Sequence, residues 1–207
     1  TLTLLSSTLT KRGQRSAPPR EKGLHFCPRP FILIPSSRNK TWKLYEEGTL
    51  YSIKNDNTYM NVQYIVVHCS ATRINRPYKV EQLERDHQAR GMRSAGYHFY
   101  IPRNGIIIPL RPLNVVGAHA RGYNRKSIGV CYEGGLLGDG TPGDTRTLEQ
   151  KGALVLLLRM LRRCYPQARI VGHRDLSPDL NRDGKISPNE WTKLCPCFDA
   201  KEAYAQL

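Results

Sequence analysis

Two short apolar runs that each end in a histidine constrain the fold of this 207-residue chain more than any other feature. The first run, QYIVVH, ends at His68, and the second, ARIVG, leads directly into His173. Apolar, β-branched runs of this length predict buried strands. The carboxyl ends of strands in an α/β sheet meet at one edge, where such proteins place their sites. We therefore expect the two histidines to converge, although a single strand-end histidine is more often a core residue.

The remaining pattern predicts helices between these strands. Residues 80–90 read as a helix that stops at Gly91, and a second helix begins at Thr147 with Gln150 three residues on, as in a capping box. Asn104-Gly105 indicates a hairpin, and residues 127–132 form another buried strand. The sequence thus predicts one α/β domain with a central mixed β-sheet flanked by helices.

The first 59 residues differ from the rest in composition. They are rich in Ser, Thr, Pro, Lys and Arg, and such segments rarely bury enough apolar surface to offset chain entropy. We expect residues 1–59 to be a poorly structured basic extension and residues 60–207 to be the folded domain. The chain has neither a long apolar run nor the usual order of a signal peptide, so we expect no membrane span and no signal peptide.

The chain carries a formal net charge of +15, which favours contact with anionic polymers. Interleaved aromatic and basic motifs for stacking on bases are missing, so we expect no nucleic-acid partner. Of the six cysteines, Cys69 and Cys131 lie in apolar strand-like runs, Cys164 ends a helical pattern, and Cys195 and Cys197 are too close to pair easily. The expectation is reduced thiols and one metal ligand.

A third metal-ligand candidate follows His173 in the chain. Cys195 would join His68 and His173 in a catalytic zinc site with three protein ligands and one open position. Cys197 competes for a ligand position, because residues two apart in an extended backbone share a face. Lys193 could supply positive charge and Tyr97 a hydroxyl hydrogen bond to a developing oxyanion. A surface lysine and a core tyrosine are the plainer interpretations of these two residues.

Five motifs in this chain resemble those of the type 2 N-acetylmuramoyl-L-alanine amidases. They are VVHCSAT, GYHFYI, GAHARGYNRKSIGVC, VGHRD and KLCPCFD, and they span about residues 64–198. That family includes bacteriophage amidase-type lysozymes and is related to the peptidoglycan recognition proteins. The resemblance implies a zinc enzyme that hydrolyses the amide between the lactyl group of N-acetylmuramic acid and L-alanine in peptidoglycan.

The resemblance also implies roles for individual residues. It places the zinc ligands on His68, His173 and Cys195, which favours Cys195 over Cys197. The catalytic tyrosine and lysine fall on Tyr97 and Lys193. Two further residues are implied in the substrate groove, His119 and Asn124. A structural role is expected for His98.

One loop departs from the compact phage members of the family. Residues 179–190 match the calcium-loop template D-x-[DN]-x-[DN]-G-x5-E. The expected calcium ligands are the following: Asp179, Asn181, Asp183, Glu190 and the backbone carbonyl of Lys185. Ser187 and Glu190 also fit a capping box, so Glu190 could serve a helix end instead of an ion.

A binding module of the same fold that recognises peptidoglycan without cutting it is the alternative function. The resemblance implies that such modules lack the cysteine ligand, so the presence of Cys195 favours the enzyme. We expect a monomer that is cytoplasmic as synthesised and acts on the cell wall after release or export.

Overall fold

The computed structural model describes residues 61–207 and, from the preceding segment, only the backbone of two short strands. These strands, β1 (Ile34–Pro35) and β2 (Trp42–Lys43), pair antiparallel. The rest of the expected basic extension lies outside the described residues. Its irregular character and the domain boundary at residue 60 therefore stay predictions.

Strands and helices alternate irregularly along the described domain. The strands are β3 (Tyr64–Cys69), β4 (Thr72–Arg73), β5 (Phe99–Ile101), β6 (Ile108–Pro109), β7 (Ser127–Tyr132), β8 (Gly135–Leu136) and β9 (Arg169–Gly172). The α-helices are α1 (Val80–Ala89), α2 (Leu148–Cys164) and α3 (Ala200–Ala203). Short 3-10 helices cover Asn124–Lys126, His173–Leu176 and Pro188–Glu190.

Five strands form the central sheet in the order β6-β5-β7-β3-β9. The strands β5, β7, β3 and β9 run parallel to their neighbours, and β6 pairs antiparallel with β5. A separate parallel pair, β4 and β8, lies beyond the ends of β3 and β7. The prediction of an α/β domain with a central mixed sheet is confirmed.

Helices cover both faces of this sheet because the strand residues alternate between two apolar clusters. Ile65 and Val67 of β3 pack in the cluster that contains the fully buried leucines of α2. On the opposite face, Cys131 of β7 packs with Leu83 of α1. The expected capping box at the start of α2 is present, with reciprocal hydrogen bonds between Thr147 and Gln150. The alternation leaves His68 on the α1 face, where its ring lies beside Tyr97.

Four cysteines in the described domain are free, as expected, and Cys164 is not. Cys69 and Cys131 are buried, and Cys195 and Cys197 are partly buried. Cys164 is disulfide-bonded, so the expectation of a reduced thiol is wrong at this position. Unlike the thiols inside β3 and β7, it lies partly exposed at the end of α2. Among the helices of residues 61–207, none combines the length and apolarity that crossing a membrane requires.

Candidate metal centre and active site

The two strand-end histidines converge because β3 and β9 are parallel neighbours. Val67 is in register with Gly172, so His68 and His173 follow at the same edge of the sheet. Their ring centroids lie 4.6 Å apart. Cys195 approaches from the C-terminal loop, and one ligand atom from each of the three residues lies within 4.8 Å of the others. Within residues 61–207, this is the one group of at least three His, Cys, Asp or Glu residues with such spacing.

Backbone contacts hold the Cys195 loop against the strand ends. The backbone N–H of Cys69 donates to Cys195 Sγ at 3.2 Å, and the N–H of Arg174 donates to the Cys195 carbonyl at 2.8 Å. Cys195 Sγ lies 3.8 Å from His68 Nδ1. The thiol thus faces Nδ1 of His68.

Cys197 lies outside this group, although the extended-backbone argument left it open. The chain turns here, because the N–H of Cys197 donates to the Leu194 carbonyl at 2.7 Å and Cys197 has a φ of 68°. Its Sγ lies 3.8 Å from Cys69 Sγ. A turn does not keep residues two apart on one face, so the two thiols separate.

Burial and nearby charge keep both histidines neutral. Burial, followed by the neighbouring His119, His173 and Lys193, lowers the pKa of His68 well below its usual value. Burial and then Lys193 lower the pKa of His173 to about 4. Neutral imidazoles keep the lone pair that a metal ligand needs.

Tyr97 and Lys193 both act on the ligand group. The Tyr97 ring centroid is 5.0 Å from that of His68 and 5.3 Å from that of His87 on α1. Burial raises the pKa of Tyr97 well above its usual value, so its hydroxyl remains a hydrogen-bond donor at neutral pH. Lys193 is exposed, and its charge acts on the pKa of both His68 and His173.

The structure places His119 behind the metal-ligand candidates. His119 is 9% exposed, and its Nδ1 lies 3.0 Å from His68 Nε2. Asn124 turns inwards as well, because its side-chain oxygen accepts the backbone N–H groups of His119 and Ala120 at 2.9 and 2.8 Å. The substrate-groove roles of His119 and Asn124 stay predictions.

His98 occupies a fully buried position with both ring nitrogens paired. Its Nδ1 accepts the Gly129 N–H at 3.0 Å, and its Nε2 lies 3.0 Å from the Val115 carbonyl. Burial lowers its pKa to about 4, so the ring is neutral and Nε2 is the donor to that carbonyl. These contacts support the structural role expected for His98.

Comparisons with known proteins agree on one family. The family described as N-acetylmuramoyl-L-alanine amidase, Amidase_2, matches residues 58–190. The endolysin of Enterobacteria phage K11 is 38% identical over 133 residues, which are 64% of this chain and 79% of that protein. The endolysin of Escherichia phage T7 is 36% identical over 137 residues, or 66% of this chain and 82% of that protein.

This chain belongs to the N-acetylmuramoyl-L-alanine amidase family. A solved endolysin of that activity, LysCS from Clostridium intestinale, superposes with a TM-score of 0.55 at 26% identity, covering 75% of this chain and 90% of that one. The bumblebee recognition protein PGRP-SA shares the fold, with a TM-score of 0.53 at 18% identity over 69% of this chain and 80% of that one. The chain is therefore an amidase with the fold of the endolysins and recognition proteins.

The matched family region contains most of the predicted site residues. His68, Tyr97, His119 and His173 lie within residues 58–190, whereas Lys193 and Cys195 lie beyond that match. Cys195 is assigned to the site because its Sγ lies close to the ligand atoms of His68 and His173.

In this amidase, the carboxylate and amide oxygens of the loop with the calcium-type spacing accept hydrogen bonds from backbone N–H groups of the same loop. Asp179 accepts the N–H groups of Asp183 and Gly184, and Asn181 also accepts that of Asp183. Glu190 accepts the N–H groups of Leu180, Asn181 and Ser187, and the Ser187 hydroxyl. These bonds agree with the capping interpretation of Glu190, and the calcium site stays a prediction.

Sequence reasoning missed three residues that shape the site. His87 packs on Tyr97, and its Nδ1 accepts the Gly96 N–H at 2.9 Å. Ser127 lies 3.4 Å from His119 Nε2. Gly129 lies beside the His119 ring in the middle of β7. An isolated glycine inside a strand signals a close approach, and that signal was present in SIGVC.

Proposed function

We propose that this amidase is zinc-dependent and hydrolyses the amide between the lactyl group of N-acetylmuramic acid and L-alanine in peptidoglycan. His68, His173 and Cys195 hold the zinc. The observation that carries the proposal is the convergence of two neutral imidazoles and one thiol at the strand ends of an amidase fold.

The three donors fit zinc in chemistry, and one donor pair also fits it in spacing. Zinc binds His nitrogen at about 2.0–2.1 Å and Cys sulfur at about 2.3 Å, so tetrahedral N and S donors lie about 3.6 Å apart. The 3.8 Å between His68 Nδ1 and Cys195 Sγ is close to that separation. Three protein ligands are the number typical of a catalytic site. When bound, zinc supplies Lewis-acid chemistry, which makes water more acidic and polarises a carbonyl.

Tyr97 and Lys193 stabilise the charge that develops on the substrate carbonyl oxygen. The Tyr97 hydroxyl stays protonated at neutral pH and can donate a hydrogen bond to that oxygen. Its ring is held between those of His68 and His87, which limits reorientation. Lys193 is exposed and adds a positive charge close enough to act on His68 and His173. A hydrogen-bond donor and a positive charge that act on the developing oxyanion favour the transition state over the bound substrate.

The alternative is a module that binds peptidoglycan without cutting it. A peptidoglycan-recognition protein of Drosophila melanogaster is 29% identical over 117 residues, so recognition proteins are among the relatives. The position of Cys195 within the ligand group favours the enzyme. The proposal includes a monomer that takes peptidoglycan, and no nucleic acid, as its partner and acts on the cell wall after release or export.

Substitution of Tyr97 and Lys193 separates chemistry from metal binding. Tyr97→Phe and Lys193→Ala should retain zinc and fold while lowering the rate of release of L-alanine amino ends from purified wall. Removing one oxyanion donor costs about a hundredfold or more. Matched controls are Tyr123→Phe, whose ring packs on Tyr64 at the amino end of β3, and Lys151→Ala, exposed on α2. Unchanged rates in both test variants would assign the role to other groups.

A further inference from the structure

We infer that His119 is a positioning residue: a chain of hydrogen bonds running through its ring determines which nitrogen of His68 faces the metal. The inference rests on the proposed zinc site and adds a group behind it. It is carried by four residues on the neighbouring strands β3 and β7 and on the loop that precedes β7, namely His68, His119, Tyr123 and Ser127.

The direction of these hydrogen bonds is determined at Ser127 and Tyr123, the two residues farthest from His68 in the series. Ser127 is fully buried, and its hydroxyl donates to the Tyr123 carbonyl at 2.8 Å. A serine hydroxyl has one proton, so Ser127 Oγ can only accept from the other side. The group on that side is His119 Nε2 at 3.4 Å. His119 therefore carries its proton on Nε2.

The remaining steps follow from the chemistry of a neutral imidazole. A ring with its proton on Nε2 presents a lone pair at Nδ1. His119 Nδ1 lies 3.0 Å from His68 Nε2, so His68 is the donor in this bond. His68 then has its lone pair at Nδ1, the nitrogen that faces Cys195 Sγ at 3.8 Å. The Tyr123 carbonyl, which orients the Ser127 hydroxyl, and the Ser127 backbone carbonyl thus set the tautomer of His68 through the His119 ring.

Two glycines leave the space that the ring of His119 occupies, because a side chain at either position would overlap the ring. A Cβ on Gly129 would lie 2.6 Å from Cγ and Cδ2 of His119, and a Cβ on Gly117 would lie 2.5 Å from Cδ2. Asn124 fixes the backbone, because its oxygen accepts the N–H of His119. The ring therefore fits closely against backbone on two sides, as a supporting group must.

This arrangement predicts a dependence of zinc affinity on His119 in the absence of substrate. Hydrogen-bond partners of metal-ligating histidines typically contribute 10–100-fold to metal affinity. His119→Ala should raise the zinc Kd by about that factor in a competition assay with a fluorescent chelator. His119→Asn should restore most of the affinity, because its side-chain oxygen can accept from His68 Nε2. A role in substrate contact alone would change KM and leave the zinc Kd unaltered.

Nitrogen NMR of zinc-loaded protein with labelled histidines tests the tautomers directly. The expected result is zinc on Nδ1 of His68 and a proton on Nε2 of both His68 and His119. In Ser127→Ala the His119 ring loses the hydroxyl acceptor but keeps the Ser127 backbone carbonyl, so the zinc Kd should rise by a smaller factor than in His119→Ala.

Two results would overturn the inference while leaving the proposed function intact. One is zinc on Nε2 of His68 in the wild type. The other is a folded His119→Ala variant whose zinc Kd is within twofold of the wild type. A wild-type protein that binds no zinc would instead overturn the proposed function, and the inference with it.

Discussion

A methyl group added at Gly129 should displace the ring of His119 and thereby weaken zinc binding at the metal centre. Gly129 lies in the middle of β7, opposite Val66 of β3. The new Cβ would meet Cγ and Cδ2 of His119 at 2.6 Å and Nδ1 at 2.8 Å. Carbon atoms in contact normally lie about 3.5–4.0 Å apart, so the ring would have to move by about 1 Å.

The ring has little room to make that movement. On another side the backbone at Gly117 comes close to Cδ2, and Nδ1 is bonded to His68 at 3.0 Å. Overpacking of this kind typically lowers the free energy of unfolding by about 1–3 kcal/mol. At about 2–4 °C per kcal/mol for a domain of this size, the melting temperature should fall by about 2–12 °C. Displacing Nδ1 should also raise the zinc Kd about tenfold or more.

Gly152→Ala is the matched control, because it makes the same chemical change without a contact. Gly152 is exposed on α2, and a Cβ there would meet nothing within 4 Å. Alanine in a helix is about 0.5–1 kcal/mol more favourable than glycine, so this variant should be more stable. The assays are thermal unfolding of metal-free protein and chelator competition for zinc. A Gly129→Ala variant that matches the wild type in both would refute the packing argument.

Three further predictions concern the calcium-type loop, the Glu190 carboxylate within it, and the residues that precede Met60. Millimolar calcium should raise the melting temperature of the wild type but not of Asp183→Ala, and a capping-only loop would show no calcium effect in either. Hydrogen bonds from Ser187 and then from Asn181 and Leu180 lower the pKa of Glu190 to about 2. The stability that this carboxylate contributes should be lost as the pH falls from about 4.5 towards 2, a loss that pH titration of Glu190→Gln should not show. A chain shortened to begin at Met60 should cut wall as well as the full chain when both are compared under reducing conditions, so that Cys164 is a thiol in both. A loss of solubility or activity would then show that residues 1–59 pack on the domain.

The elements of the fold were predictable where local patterns were strong. The strand at Ser127–Tyr132 has the predicted bounds, because six consecutive residues are buried. The start of α2 was predictable because Thr147 and Gln150 complete a capping box through local hydrogen bonds. The apolar run over residues 97–101 predicts a strand, whereas the observed strand begins at Phe99. Just before this strand the carbonyl of Gly96 accepts the Ala118 N–H at 2.8 Å, so the chain there is bonded to a loop and not to a strand.

The sequence indicated which residues form the site, but it did not indicate how their side chains contact one another. Strand-end positions indicated that His68 and His173 would meet, since parallel neighbours bring their ends together. The separation of Cys195 from Cys197 depends on a turn that residue spacing does not reveal. The bond between His68 and His119 joins residues 51 positions apart, and no local pattern specifies such a contact.

We propose that Cys195, and not Cys197, completes the zinc site with which this amidase cuts peptidoglycan. Zinc content and release of L-alanine amino ends, measured on the same preparations of wild type, Cys195→Ser and Cys197→Ser, test this assignment. We expect about one zinc per chain and full activity in the wild type and in Cys197→Ser, and loss of both in Cys195→Ser. Loss of zinc from Cys197→Ser to the same extent, or undiminished cutting by zinc-free protein, would show the assignment to be wrong.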